Sequence, residues 1–193
     1  MKKILLLSAA LFCCTITLGQ TLKAENIDFT KIETFDNLKD STTYSLDKES
    51  LLKLIATSDK GYTLVLTYGP WCGPCNIYLP KLLNFISETK PDLQLVIANM
   101  EPDDSKRLLL NKYALEQRFN YTKAIFMISE KYGKSKFKKS DPFLIELVGK
   151  ERITKTMGAM SQHILFKGQE VVYLSDYTLS YETILADLER IMK

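Results

Sequence analysis

One junction in this chain narrows its possible folds more than any other. Thr63-Leu64-Val65-Leu66-Thr67-Tyr68 is a β-prone, mostly apolar run with the character of a buried strand. Gly69-Pro70-Trp71-Cys72-Gly73-Pro74-Cys75 follows without a gap. Leu79, Leu82, Leu83 and Ile86 then recur at helical spacing, with Pro80 inside the segment and Pro91 beyond it. Two cysteines therefore sit where a buried strand turns into a helix.

The rest of the chain alternates in the same way. Asp47 or Ser45 can cap a short helix carrying Leu51, Leu52 and Ile55, which Gly61 closes off. Leu93–Asn99 reads as a second strand. Asp103 or Asp104 can cap a helix carrying Leu108, Leu115 and Phe119, and Ala124–Ile128 reads as a third strand. Glu130–Phe137 reads as a short helix or loop. Phe143–Val148 is expected as another strand, with Ile153–Met157 pairing back after the Gly149-Lys150 turn. Ile164–Phe166 and Val171–Leu174 form a hairpin across Lys167-Gly168-Gln169. Ser180 caps a final helix with Ile184, Leu185, Leu188 and Ile191 on one face. Strands alternating with helices predict an α/β fold: a three-layer α/β/α sandwich with a mixed central sheet. The length of 193 residues suits one such domain.

The first residues follow a different logic. Lys2 and Lys3 precede an uncharged run, Ile4–Leu18, and Thr17-Leu18-Gly19 offers small residues before Gln20. This is the pattern of a secretory signal peptide. The run falls short of the ~20 residues that comfortably span a bilayer. The expected organisation is a cleaved signal at 1–19, a leader with an edge strand at 20–44, and the main domain at 45–193. Lipid anchoring at Cys14 fits less well, because Leu11-Phe12-Cys13 lacks the small residue wanted before the modified cysteine. The expected location is periplasmic or secreted.

Cleavage before Gln20 removes two of the four cysteines, Cys13 and Cys14, and leaves only Cys72 and Cys75. It also removes Lys2 and Lys3, which lowers the formal charge of +3 to about +1. No concentrated basic surface follows from that, so nucleic acid is not an expected partner. An exported chain whose only thiols form C-x-x-C is better suited to redox exchange than to a disulfide scaffold. Exchange needs an exposed thiolate and a second thiol that resolves the mixed disulfide. Helix N-termini favour negative sulfur and can lower a cysteine from ~8.5 to ~7, raising the thiolate at neutral pH from roughly 3% to about half. Cys72 is thus the expected nucleophile, and Cys75, one turn on and more buried, the resolving thiol. A static disulfide would close too short a loop to stabilise much. A zinc site wants about four ligands, and the mature chain offers only His163 besides the pair. No metal or other cofactor is expected.

Trp71-Cys72-Gly73-Pro74-Cys75 between strand and helix resembles the active site of the thioredoxin superfamily, and Pro80 falls where that family kinks its helix. An extra helix and strand after Cys75 make the layout similar to periplasmic TlpA-type thiol-disulfide oxidoreductases. The resemblance covers roughly Leu51–Met157 and the last helix, with no counterpart for Gly158–Ser175. It implies reduction of disulfides in exported proteins, re-reduction by a membrane electron donor, and a monomer. The Gly73-Pro74 pair resembles reducing members. The resemblance also implies a substrate groove shaped by Trp71, Gly73, Pro74 and a cis-proline. Asp141-Pro142 is the candidate for that proline; the less favoured place, Met160-Ser161, would mean that none is present. Two acids of the family are missing: Leu66 stands six residues before Cys72, and Tyr78 three residues after Cys75. A non-catalytic thioredoxin-fold interaction module, with a structural or vestigial disulfide, is the alternative reading, and an isomerase or oxidase a third.

Lys131, Lys134, Lys136, Lys138 and Lys139 read as a solvated basic face that could steer an acidic partner. His163, the only histidine, reads as structural or exposed.

Overall fold

A computed structural model of the chain describes residues 23–89, 92–102, 107–135, 138–153, 161–176 and 178–193. The signal segment 1–19, the caps Asp103 and Asp104, Lys136 and Met160 lie outside the described residues, as does the hairpin strand expected at Ile153–Met157 beyond Ile153.

Among the described residues, six strands form one mixed sheet: β1 (Thr43–Leu46), β2 (Tyr62–Tyr68), β3 (Leu93–Asn99), β4 (Ile125–Ile128), β5 (His163–Lys167) and β6 (Glu170–Leu174), in the spatial order β1-β4-β3-β2-β5-β6. β1, β4, β3 and β2 run parallel. β5 lies antiparallel to β2, and β6 antiparallel to β5. β2 is central, in full register with β3 from Tyr62↔Leu93 to Tyr68↔Asn99. The hairpin between β5 and β6 turns at Gly168, whose φ of +54° suits a residue without a Cβ.

Among the described residues, five helices cover the two faces: α1 (Lys48–Ala56), α2 (Gly73–Thr89), α3 (Arg107–Phe119), α4 (Ser140–Val148) and α5 (Tyr181–Ile191). The alternation of the strands sorts their side chains between two cores. Val65, Val96, Ala98, Phe126, Ile128, Ile164 and Phe166 pack with Leu51 and Leu54 of α1 and Phe143 and Leu144 of α4. Leu64, Leu66, Leu95, Ile97 and Leu165 pack with Leu79 and Leu82 of α2, Leu115 of α3 and Ile184 and Leu188 of α5. This is the expected three-layer sandwich. No helix among the described residues is long and apolar enough to cross a membrane.

The leader joins the domain. Glu25 bridges β1 through two backbone hydrogen bonds of 2.8 Å, and Phe35 and Leu38 are buried in the α1–α4 core. Asp47 caps α1, accepting the Ser50 N–H at 2.8 Å while the Ser50 hydroxyl accepts the Asp47 N–H. Such a cap is worth about 1 kcal/mol. Burial works against the Asp47 carboxylate, but hydrogen bonds from Ser50 and Lys131 hold its pKa down at about 2.

Two expectations are corrected here. Phe143–Val148 is not a strand but part of α4. A short apolar run does not distinguish a strand from a buried helix by its pattern, and Phe143, Leu144 and Val148 pack equally well as one helical face. The basic stretch is also not a uniform solvated face. Lys131 bonds Asp47 at 2.9 Å, Lys134 and Lys138 are exposed, and Lys139 is fully buried.

Candidate functional site

The C-terminal end of β2 delivers the cysteine pair. Cys72 donates its N–H to the Gly69 carbonyl at 2.9 Å, closing a tight turn over Pro70 and Trp71. Cys72 immediately precedes the first residue of α2, the capping position. Its Sγ accepts the Cys75 N–H at 3.1 Å, as a serine or aspartate oxygen does at other helix starts. The pair is disulfide-bonded with Cα atoms 5.2 Å apart. Once the bond is reduced, the same N–H and the helix dipole stabilise negative charge on Cys72.

Asn76 braces this turn, and nothing in the sequence pattern singled it out. Its Nδ2 donates to the Pro70 carbonyl at 3.0 Å, and its Oδ1 accepts the Tyr68 hydroxyl at 2.8 Å. Burial pushes the Tyr68 phenol up to about 12, so it remains a donor at physiological pH. Gly69 leaves room for the indole: a Cβ there would lie 2.9 Å from Trp71 Cε2. Trp71 is half-buried and touches both cores. With Pro70, Leu110 and Ala114 it lines an open, mainly apolar hollow of about 480 Å³. Gly73 and Pro74 are exposed beside it. The chain passes through Pro80 without leaving α2, although Asn76 loses its helical N–H partner there.

Exposure of the nucleophile differs from expectation. In the disulfide form Cys72 is 2% exposed and Cys75 1%. Both cysteines belong to the buried cluster of Leu64, Leu66, Tyr68 and Leu79, so the expected contrast between an open and a covered cysteine is absent from this state.

Asp141 and Pro142 do not shape a groove. They occupy the first turn of α4, where a proline's missing N–H costs little, and Pro142 is exposed. No peptide bond among the described residues is cis. Burial raises the Asp141 carboxyl. The segment bonded to the β2 end is instead Ser161-Gln162, which shares only Ser161 with the less favoured place, Met160 lying outside the described residues. Ser161 N–H donates to the Thr67 carbonyl at 3.0 Å, and Gln162 N–H to Thr67 Oγ1 at 2.9 Å. Ser161 has a φ of +65°, a left-handed conformation that is costly for a residue with a Cβ.

The positions of the two missing acids are also defined. Leu66 is buried in the core that also holds the cysteines. Tyr78 stacks on Tyr181 of α5 with ring centroids 4.5 Å apart and planes at 2°.

His163 is neither exposed nor peripheral. It begins β5 opposite Leu66 and is 1% exposed. Burial pulls its pKa from 6.5 down to about 4, partly countered by the Ser161 carbonyl. The unfolded chain takes up this proton near pH 6.5 and the folded chain only near 4, so stability declines as pH falls through that window. The decline amounts to roughly 3 kcal/mol by pH 4. Urea melts at pH 7 and pH 4.5 should show it, and His163→Leu should flatten it. Equal slopes in the two proteins would refute the assignment.

No family model matches the chain. A stretch of 64 residues is 44% identical to chloroplastic thioredoxin Y2 of Arabidopsis thaliana, covering 33% of this chain and 35% of that protein. The match thus spans about a third of the curated relative's length. Among solved structures, thioredoxin f2 of Chlamydomonas reinhardtii is 14% identical, with a TM-score of 0.42 over 76% of this chain and 94% of that one. The thioredoxin domain of a thiol-disulfide oxidoreductase from Bacteroides vulgatus is 15% identical, with a TM-score of 0.45 over 69% and 81%. An exposed lipoprotein thioredoxin of Streptococcus pneumoniae is 16% identical, with a TM-score of 0.45 over 68% and 86%. These superpositions are loose, and the fold stands on its own strand order and the placement of C-x-x-C between β2 and α2. That fold is thioredoxin-like.

Proposed function

We propose that this protein is a thiol-disulfide oxidoreductase that reduces disulfides in exported proteins. The observation that carries the reading is the capping geometry of Cys72, whose sulfur accepts a backbone N–H at the start of α2 while bonded to Cys75. In the reduced protein, the Cys72 thiolate attacks a substrate disulfide and releases one substrate thiol. Cys75 then attacks Cys72, releases the second substrate thiol and closes the internal disulfide. Two electrons pass from the protein to its substrate, and a membrane electron donor restores the dithiol. The hollow beside Trp71 gives the partner's chain an apolar surface to lie against. With residues 1–19 removed as a signal peptide, the protein acts as a monomer in the periplasm or outside the cell.

The burial of both sulfurs favours a second reading, an interaction module whose disulfide is structural. Insulin reduction by dithiothreitol separates the two. The wild type should accelerate it, and Cys72→Ser and Cys75→Ser should each return the rate to background. Equal rates in all three proteins would establish the module reading. A redox titration then sets the direction: a midpoint near about −270 mV marks a reductase and one near about −120 mV an oxidase.

A further inference from the structure

The stretch 70–76 carries both cysteines and is closed on itself twice. The disulfide joins residues 72 and 75, with Cα atoms 5.2 Å apart. Outside it, Asn76 Nδ2 donates to the Pro70 carbonyl at 3.0 Å, so a side chain of α2 reaches back to the residue where the turn begins. Asn76 also donates its backbone N–H to the Cys72 carbonyl at 3.2 Å. This outer closure uses no sulfur atom and does not depend on the disulfide.

The prolines around it explain why a side chain is needed. Pro74 has no N–H to offer the Pro70 carbonyl four residues back. Pro80 offers none to the Asn76 carbonyl, so the first turn of α2 lacks part of its backbone ladder. Tyr68 fixes which way the amide points. Its hydroxyl donates to Asn76 Oδ1 at 2.8 Å, and that leaves Nδ2 for Pro70. The Tyr68 side chain is fully buried at the end of β2, and burial keeps its phenol protonated and able to donate. The rigid sheet thus sets the tyrosine, the tyrosine sets the amide, and the amide sets the turn.

We propose that Asn76 is the positioning residue that keeps the reduced cysteine pair in bonding register. In the oxidised protein the S–S bond itself holds residue 72 near residue 75. Reduction removes that restraint, and the bond from Asn76 to Pro70 then keeps the turn closed. A disulfide forms only from the closed geometry. The fraction of time spent closed therefore multiplies both the rate and the equilibrium constant of its formation. In the closing step Cys75 gives its proton to solvent and its sulfur attacks Cys72 Sγ. The bond from Cys72 to the substrate breaks, and the substrate sulfur leaves with the electron pair. The role in turnover rests on the oxidoreductase reading above; the closed turn does not.

Equilibration with reduced and oxidised glutathione at pH 7 tests the proposal, with the oxidised fraction read by thiol alkylation and mass spectrometry. Asn76→Ala should lower the equilibrium constant of the internal disulfide by about three- to tenfold. A tenfold change corresponds to about 30 mV for this two-electron couple. Resolution of a mixed disulfide with glutathione, followed by rapid quench, should slow by the same factor. Tyr68→Phe leaves the amide in place without its orienting partner, and should shift both quantities the same way by less. The double variant should match Asn76→Ala, because Tyr68 acts through Asn76. A side chain that only stabilised the fold would lower the urea midpoints of the oxidised and reduced forms equally and leave the glutathione constant where it was. That result in Asn76→Ala overturns the proposal. If the reduced Asn76→Ala protein does not stay folded, Tyr68→Phe decides, and an unchanged constant there overturns it as well. A wild type that fails to reduce insulin, while Asn76→Ala still lowers the constant, would remove the oxidoreductase reading and leave the role of Asn76 standing.

Discussion

Incubated in reduced form with a disulfide-bonded partner, the Cys75→Ser protein should accumulate a covalent adduct through Cys72, and the wild type should not. The difference is close to all-or-none, because only one group stands within reach to break the mixed disulfide. Cys75 follows Cys72 by one helical turn, and the two already satisfy disulfide geometry with Cα atoms 5.2 Å apart. Serine keeps the size of the side chain and removes the attacking sulfur. Cys72 loses nothing by the change, since the N–H it accepts belongs to the backbone of residue 75. Non-reducing electrophoresis, followed by mass spectrometry of the adduct, reads the result. The double variant Cys72→Ser, Cys75→Ser should show no adduct. The burial of Cys72 in the disulfide form sharpens the test. Absence of any adduct from Cys75→Ser would mean that the sulfur stays covered after reduction as well, and that the interaction-module reading holds.

A second large effect is expected far from the cysteines in sequence. Replacing Lys139 by methionine should destabilise the protein by about 3 kcal/mol or more. The side chain is fully buried, and its Nζ donates to the backbone carbonyls of Glu101 and of Ile128, the latter at 2.7 Å. Ile128 ends β4, and Glu101 lies two residues past the end of β3. Methionine preserves the apolar stem but offers no donor, so two buried carbonyls would lose a partner at about 1–3 kcal/mol each. Against a total stability of about 5–15 kcal/mol that is a large fraction. The loss should also reach the candidate site, because Met100 N–H is bonded to the Tyr68 carbonyl at 3.0 Å, just before the cysteine turn. Urea denaturation at pH 7 measures the effect. A midpoint within about 0.5 kcal/mol of wild type would show that the carbonyls find other partners.

Much of the architecture is readable from local pattern. β3 runs over Leu93–Asn99 as expected, β2 differs by one residue at its start, and α5 begins after the Ser180 cap. The Asp47 cap, the hairpin around Gly168 and the strand-to-helix setting of the cysteines are equally local. Each depends on residues within a few positions of one another, through turn geometry, capping or periodicity. α4 was misread because Phe143–Val148 satisfies two periodicities at once, and only its packing beside α1 selects the helix. With that helix the expected cis-proline at Asp141-Pro142 also disappears.

The sequence by itself therefore determined the alternation of strand and helix, the buried strand under the cysteine pair, and the position of Cys72 at a helix start. These are short-range consequences of side-chain period and backbone restriction. Only the tertiary structure decided that Lys139 is an internal staple, that Ser161-Gln162 bonds to the end of β2, and that His163 is buried opposite Leu66. Those placements depend on which distant strands pair and in what register. In a sheet, shifting a strand by one residue turns every side chain to the other face, so no local pattern around His163 could reveal which core it enters.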